Sequence, residues 1–106
     1  MQNEQIIKKM LKLIERLQGF IADIDYDVFF GNAMLIDACV FNLSQLGEYA
    51  GKIEETYKKK NADIPWHEVY GLRNKIVHDY EGVKLDLIWE ILKDDIPVLK
   101  KKLENL

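Results

Sequence analysis

Residues 33–57 read AMLIDACVFNLSQLGEYAGKIEETY, and the first half of that stretch is apolar at nearly every turn: Met34, Leu35, Ile36, Ala38, Cys39, Val40, Phe41, Leu43 and Leu46. The spacing has a period near 3.6 and no strict alternation, so it predicts a helix over 33–57. A helix apolar on most of its surface is covered on several sides, which places this one at the centre of the fold. Before it, Ile6, Ile7, Met10, Leu11, Ile14, Leu17 and Ile21 recur at spacings of three and four, with Lys8, Lys9, Lys12, Glu15 and Arg16 between them. That is an amphipathic helix ending near Asp23, followed by a connector over 25–31. After the central helix, the run Lys58, Lys59, Lys60 and the turn formers Asn61 and Asp63 close it and open a loop. Pro65 suits the first turn of a third helix over about 65–79, which stops before Gly82. A fourth helix over about 85–103 carries Leu87, Ile88, Ile91, Leu92, Val98, Leu99 and Leu103 as its apolar stripe, and Pro97 inside it predicts a kink or break just before that residue. Four main helices on short loops, with no segment of sustained alternation, make an all-α antiparallel bundle, read as one domain over 1–106.

Composition agrees. The 106 residues are 48% hydrophobic and 31% charged, and 15 Lys+Arg against 18 Asp+Glu leave a formal charge of −3. A core this small buries a smaller fraction of its surface than a large domain does, so self-association adds burial and a homodimer is expected. The acidic balance, with pI ≈ 5.4, excludes a wholesale basic surface for nucleic acid but leaves room for a focused basic site. Cys39 has no partner for an intrachain disulfide and lies in an apolar stretch, which makes it a small buried hydrophobe in a reducing, cytoplasmic setting. The polar residues 1–5 lead into an amphipathic segment with no apolar signal region or small-residue cleavage site. Asp37 interrupts the best candidate for a membrane span, which needs about 18 apolar residues.

The third helix holds the residues with chemistry: Trp66-His67-Glu68-Val69-Tyr70-Gly71-Leu72-Arg73-Asn74-Lys75-Ile76-Val77-His78-Asp79-Tyr80. Val69, Leu72, Ile76 and Tyr80 cluster as its core stripe, Arg73 and Val77 flank that stripe, and Asn74 and His78 lie on a neighbouring strip. Arg73 and His78 are about 140° apart around the helix, so they do not stack as an i, i+4 pair would. Such a polar shoulder more naturally meets its own copy across a two-fold axis, bringing two Arg and two His into one cleft. Taken by themselves, Arg73, Asn74 and His78 also read as an exposed polar edge, with the Arg73 stem covering apolar neighbours, and Tyr80 as a buried ring with its hydroxyl at the surface. His67 and His78 are about 16 Å apart along one helix, too far to share an ion, so with one Cys an intrachain metal site is rejected and no cofactor is expected. Gly47-Glu48 reads either as functional or as structural, and the structural reading is preferred, with Gly47 explained by close helix packing and Glu48 by a salt bridge or hydrogen bond to a neighbouring helix. Trp66 and Trp89 read as core anchors. The Lys58–Lys60 run reads as a solvated loop rather than a nucleic-acid contact, and Lys100–Lys102 as cations complementing a helix C-terminus.

The stretch Arg73, four residues, His78, one residue, Tyr80 resembles the signature of HEPN-domain proteins of the HepT-like toxin group, down to Arg73-Asn74 followed by Val77-His78. Leu46-Gly47-Glu48, Ile64-Pro65-Trp66, Gly71-Leu72, and Trp89 with Asp95-Ile96-Pro97 look like the same family, so the resemblance runs from about residue 30 to 103. Phe41 is a departure, since family members often carry a basic residue before the position of Asn42. The resemblance implies a HEPN-like homodimer acting as a metal-independent endoribonuclease toxin, paired with a nucleotidyltransferase antitoxin of the MNT type. It would make Arg73 and His78 the catalytic pair, Asn74 a supporting polar group and Tyr80 the residue to which the antitoxin adds AMP. RNA cleavage without metal needs a base for the 2′-hydroxyl proton, an acid for the departing 5′-oxygen and a cation for the phosphorane. Two His78 side chains suit the first two tasks and Arg73 the third. A non-catalytic alternative is a HEPN-like bundle that pairs with a nucleotidyltransferase subunit or binds a nucleotide through the same residues.

Overall fold

The computed structural model describes residues 2–79 and 85–106, except for the side chains of 77–79. The described residues are helical and contain no strand. They form α1 (Asn3–Phe20), α2 (Tyr26–Phe30), α3 (Ala33–Gly51), α4 (Glu55–Lys60), α5 (Trp66–Asp79), α6 (Leu85–Glu90), a π-helical segment (Ile91–Asp95) and α7 (Ile96–Glu104). The all-α bundle expected from the periodicity is borne out. No helix among the described residues is long and apolar enough to cross a membrane.

The long helix α3 packs against α1 and against α5. Its neighbours run opposite to it. Asn3, at the start of α1, exchanges hydrogen bonds with Glu54 just beyond the end of α3, and on the other side Gly51 lies against Tyr70 while Gly47, one turn earlier, lies against the backbone of Arg73. The core is built from Ile6, Met10, Ile14 and Leu17 of α1, from Cys39, Leu43, Leu46 and Ala50 of α3, and from Val69 and Ile76 of α5. The C-terminal helices close it with Ile88, Leu92, Ile96, Leu99 and Leu103. Each large aliphatic side chain so buried contributes about 1.5–3 kcal/mol, which is why helices this short are held at all. Trp66 and Trp89 are anchors as expected. Trp66 is buried and its Nε1–H donates to the Asn61 carbonyl, and Trp89 packs 5.1 Å from Phe29, centroid to centroid. Cys39 is fully buried, and that burial pushes its thiol up to about 11, leaving it protonated and unreactive at neutral pH.

Several expectations are corrected. The first helix ends at Phe20 rather than near Asp23. The connector over 25–31 contains α2, because the Asp25 carboxylate accepts from the Val28 N–H and caps a turn that buries Phe29. The second helix does not reach residue 57. It stops at Gly51, Glu54 turns extended, and α4 begins at Glu55. That break buries Ile53 and is fixed by Asn3, whose Oδ1 accepts the Glu54 N–H and whose Nδ2 donates to the Glu54 carboxylate. Lys58–Lys60 accordingly form the last turn of a helix, not a loop, and there they complement its C-terminal dipole. The break foreseen before Pro97 is present as the π-helical segment. Pro97 lacks the N–H of an α ladder and its ring crowds the carbonyl four residues back, so the backbone widens by one residue.

The third helix spans Trp66–Asp79, as its pattern predicts. The position of its expected stop before Gly82, and Tyr80 on its expected core stripe, lie outside the described residues. The central helix is covered on fewer sides than its composition predicts: Met34 is 84% exposed and Phe41 61% exposed. Successive steps of seven bring Met34, Phe41 and Glu48 nearly onto one line along α3, an uncovered apolar strip that ends at Glu48.

Candidate active site

The site starts from a glycine. A Cβ placed on Gly47 would lie 2.9 Å from the Val69 carbonyl oxygen and 3.2 Å from the Arg73 nitrogen, so α3 and α5 approach here more closely than any side chain permits. The next residue, Glu48, is thereby carried to the edge of the seam, and its Oε1 lies 2.6 Å from Arg73 Nε in an ion pair. Gly47 and Glu48 act as one device, the first setting the distance between the helices and the second engaging the guanidinium. Both sequence expectations, close packing for Gly47 and a salt bridge for Glu48, match this arrangement.

The energetic meaning of the pair follows from its exposure. The Arg73 side chain is 55% exposed and that of Glu48 38% exposed, and an ion pair in that setting contributes about 0–1 kcal/mol to stability. Its larger effect is on direction. Contact through Nε holds one side of the guanidinium, and the two terminal nitrogens keep donors for a planar anion such as a phosphate.

Arg73 sits on α5 with Asn74 beside it, exposed. His78 lies in the last turn of the same helix, five residues on, about 7.5 Å along the axis from Arg73. Its side chain, and the whole of Tyr80, lie outside the described residues. The antiparallel register that sets Gly47 against 69–73 brings Asn42 level with 76–78. Asn42 is a buried polar residue that the sequence pattern did not single out. It is only 4% exposed, its Nδ2 donates to the Ala38 carbonyl, and its Oδ1 has no partner among the described residues. Among the described residues, no group of three or more His, Cys, Asp or Glu is placed to hold a metal ion.

The family model described as ribonuclease HepT-like matches residues 10–106 of this chain. The chain belongs to the HepT-like ribonuclease family. Curated relatives agree. A Methanocaldococcus jannaschii protein named "Putative RNase MJ1380" is 39% identical over 85 residues, 80% of this chain and 78% of the relative. A Caldanaerobacter subterraneus protein named "Putative RNase TTE0752" is 32% identical over 103 residues, 97% of this chain and 88% of the relative. A Thermococcus cleftensis protein named "Probable ribonuclease HepT" is 30% identical over 104 residues, covering 98% and 94%. No solved structure gives a significant match. Membership of this HepT-like family fits both the helical bundle and the polar edge of α5 that carries Arg73.

Proposed function

We propose that the chain is a metal-independent endoribonuclease, the toxin of a toxin-antitoxin pair, with Arg73 and His78 of two copies forming its active site. The observation that carries this reading is the Glu48–Arg73 pair at the α3–α5 seam, which presents a guanidinium to solvent on the helix that bears His78, in a chain of a ribonuclease family. One His78 takes the proton of the RNA 2′-hydroxyl, and the freed oxygen attacks the adjacent phosphorus. The 5′-oxygen leaves with a proton from His78 of the second copy, while Arg73 neutralises the charge that builds on the phosphorane. The products are a 2′,3′-cyclic phosphate and a 5′-hydroxyl. Asn74, exposed next to Arg73, supports the phosphate as a hydrogen-bond donor. The uncovered strip of Met34 and Phe41 leading to Glu48 supports a homodimer whose seam runs past the site. A fold with net charge −3 thus concentrates positive potential at two copies of Arg73. Cleavage of RNA in the presence of a chelator tests the reaction; absence of product from the purified chain refutes it.

The regulatory half of the proposal concerns Tyr80. A nucleotidyltransferase antitoxin transfers AMP from ATP to its hydroxyl, breaking the α–β phosphoanhydride bond and releasing pyrophosphate, and so places a phosphate and its bulk two residues from His78, where it repels substrate phosphate. Coexpression with such a partner is expected to raise the intact mass of the chain in AMP steps, and Tyr80→Phe to abolish the increase. An unchanged mass, or an increase that survives Tyr80→Phe, contradicts this assignment.

A further inference from the structure

Tyr70 lies on α5, three residues before Arg73, and is 47% exposed although it is a large aromatic residue. Its position is nevertheless defined. A Cβ added to Gly51 would lie 2.7 Å from both Cδ1 and Cε1 of the ring, so the edge of the ring rests directly on the glycine backbone. Among the described residues, no aromatic ring and no Lys or Arg stacks on either face of Tyr70. The ring borders a cleft of about 470 Å³ lined also by Gly51, Glu55, Lys58, Trp66 and His67. Lys58 is 18% exposed in its side chain and is held at 3.4 Å by a Glu55 carboxylate that is 78% exposed, a weak pair that an anion reaching the ammonium tip from the cleft can displace. Lys59 and His67 line the adjoining depression.

We infer that Tyr70 is a base-stacking platform for single-stranded RNA, flanking the scissile phosphate held at Arg73. The inference rests on the ribonuclease reading for the position of that phosphate. An edge-anchored ring that is 47% exposed and has no stacking partner among the described residues takes a nucleobase with little loss of side-chain freedom. Residues three apart on a helix are neighbours, so a base on Tyr70 leaves its phosphate beside Arg73. The strand then continues toward the N-terminus of α5, where Lys58 and Lys59 meet the next phosphates. Only an unpaired strand offers a free base face, so the platform selects against duplex RNA. Gly51 is explained by the same account, because any larger residue there pushes the ring off its seat.

The test is fluorescence anisotropy with an unstructured, labelled RNA dodecamer, using His78→Ala as the parent so that the probe stays intact. Tyr70→Ala is expected to weaken binding about tenfold and Tyr70→Phe to keep it, because stacking needs the ring and not the hydroxyl. Tyr70→Leu, which retains apolar bulk without a π face, is expected to behave as Tyr70→Ala. Binding of an RNA duplex is expected to be unaffected by all three. With His78 intact, Tyr70→Ala is expected to raise KM while leaving kcat unchanged. The proposal fails if the parent does not bind the dodecamer, if Tyr70→Ala binds it as tightly as the parent, or if Tyr70→Ala loses only binding to a protein partner. A chain that cleaves RNA but shows no dependence on Tyr70 refutes the platform and keeps the ribonuclease. A chain that binds through Tyr70 but never cleaves refutes the ribonuclease and keeps the platform.

Discussion

His78→Ala is expected to lower RNA cleavage by about 10²–10⁴-fold, the range lost when a general acid or base is removed, while the folded bundle survives. In the proposed mechanism two copies share the reaction, so one substitution would remove both proton-transfer groups at once and the expected loss belongs at the upper end. Arg73→Ala is expected to lose about 10²–10³-fold through the unneutralised phosphorane, and Arg73→Lys to recover only part of it, because an ammonium lacks the planar fork. Glu48→Gln separates orientation from stability. Its pair with Arg73 is too exposed to add more than about 1 kcal/mol to folding, so thermal unfolding should barely move while cleavage falls. The comparison is read from initial rates on one RNA substrate beside melting curves for each variant. Cleavage by His78→Ala at the parent rate removes the assignment.

Gly47→Val is the second large effect, and it acts on the fold. The added Cβ alone would lie 2.9 Å from a backbone carbonyl oxygen, which has no rotamer in which to yield, so α5 must move away from α3. Overpacking of this kind costs about 1–3 kcal/mol. Alanine at the same position recovers up to about 1 kcal/mol from helix propensity and is the milder change. Valine adds two more carbons and recovers less, placing it near 3 kcal/mol, or about 10 °C or more in Tm for a chain of this size. Because Glu48 and Arg73 meet only through this close approach, cleavage should fall further than the loss of folded protein explains. Melting curves at fixed protein concentration check the prediction, and a Gly47→Val protein with the parent Tm contradicts it.

How much of this was legible in the sequence differs from element to element. The stripes Ile6–Ile21 and Val69–Ile76 read correctly because a period of 3.6 is a local property of the chain. Pro97 announced its break because the missing N–H is a property of one residue. The stop at Gly51 was not legible, since it depends on Asn3 meeting Glu54, a residue 51 positions further along the chain. Nor was the exposure of Met34 and Phe41: composition reports that a face is apolar and not whether a helix of the same chain covers it. At the site, Gly47 and Glu48 were each read as packing and ion pairing, but that Arg73 is the partner requires the register of α3 against α5. Tyr70 was passed over because it lies off the core stripe and outside the Arg73 to His78 spacing. Its signal was present all the same, as an aromatic residue on the exposed side of an amphipathic helix three positions from an arginine.

The most direct measurement is end-group analysis of RNA incubated with the purified chain in excess EDTA. The proposed mechanism predicts strand cleavage that leaves 2′,3′-cyclic phosphate and 5′-hydroxyl termini, at a rate unaffected by the chelator. Intact RNA, or cleavage that stops when divalent ions are removed, contradicts it.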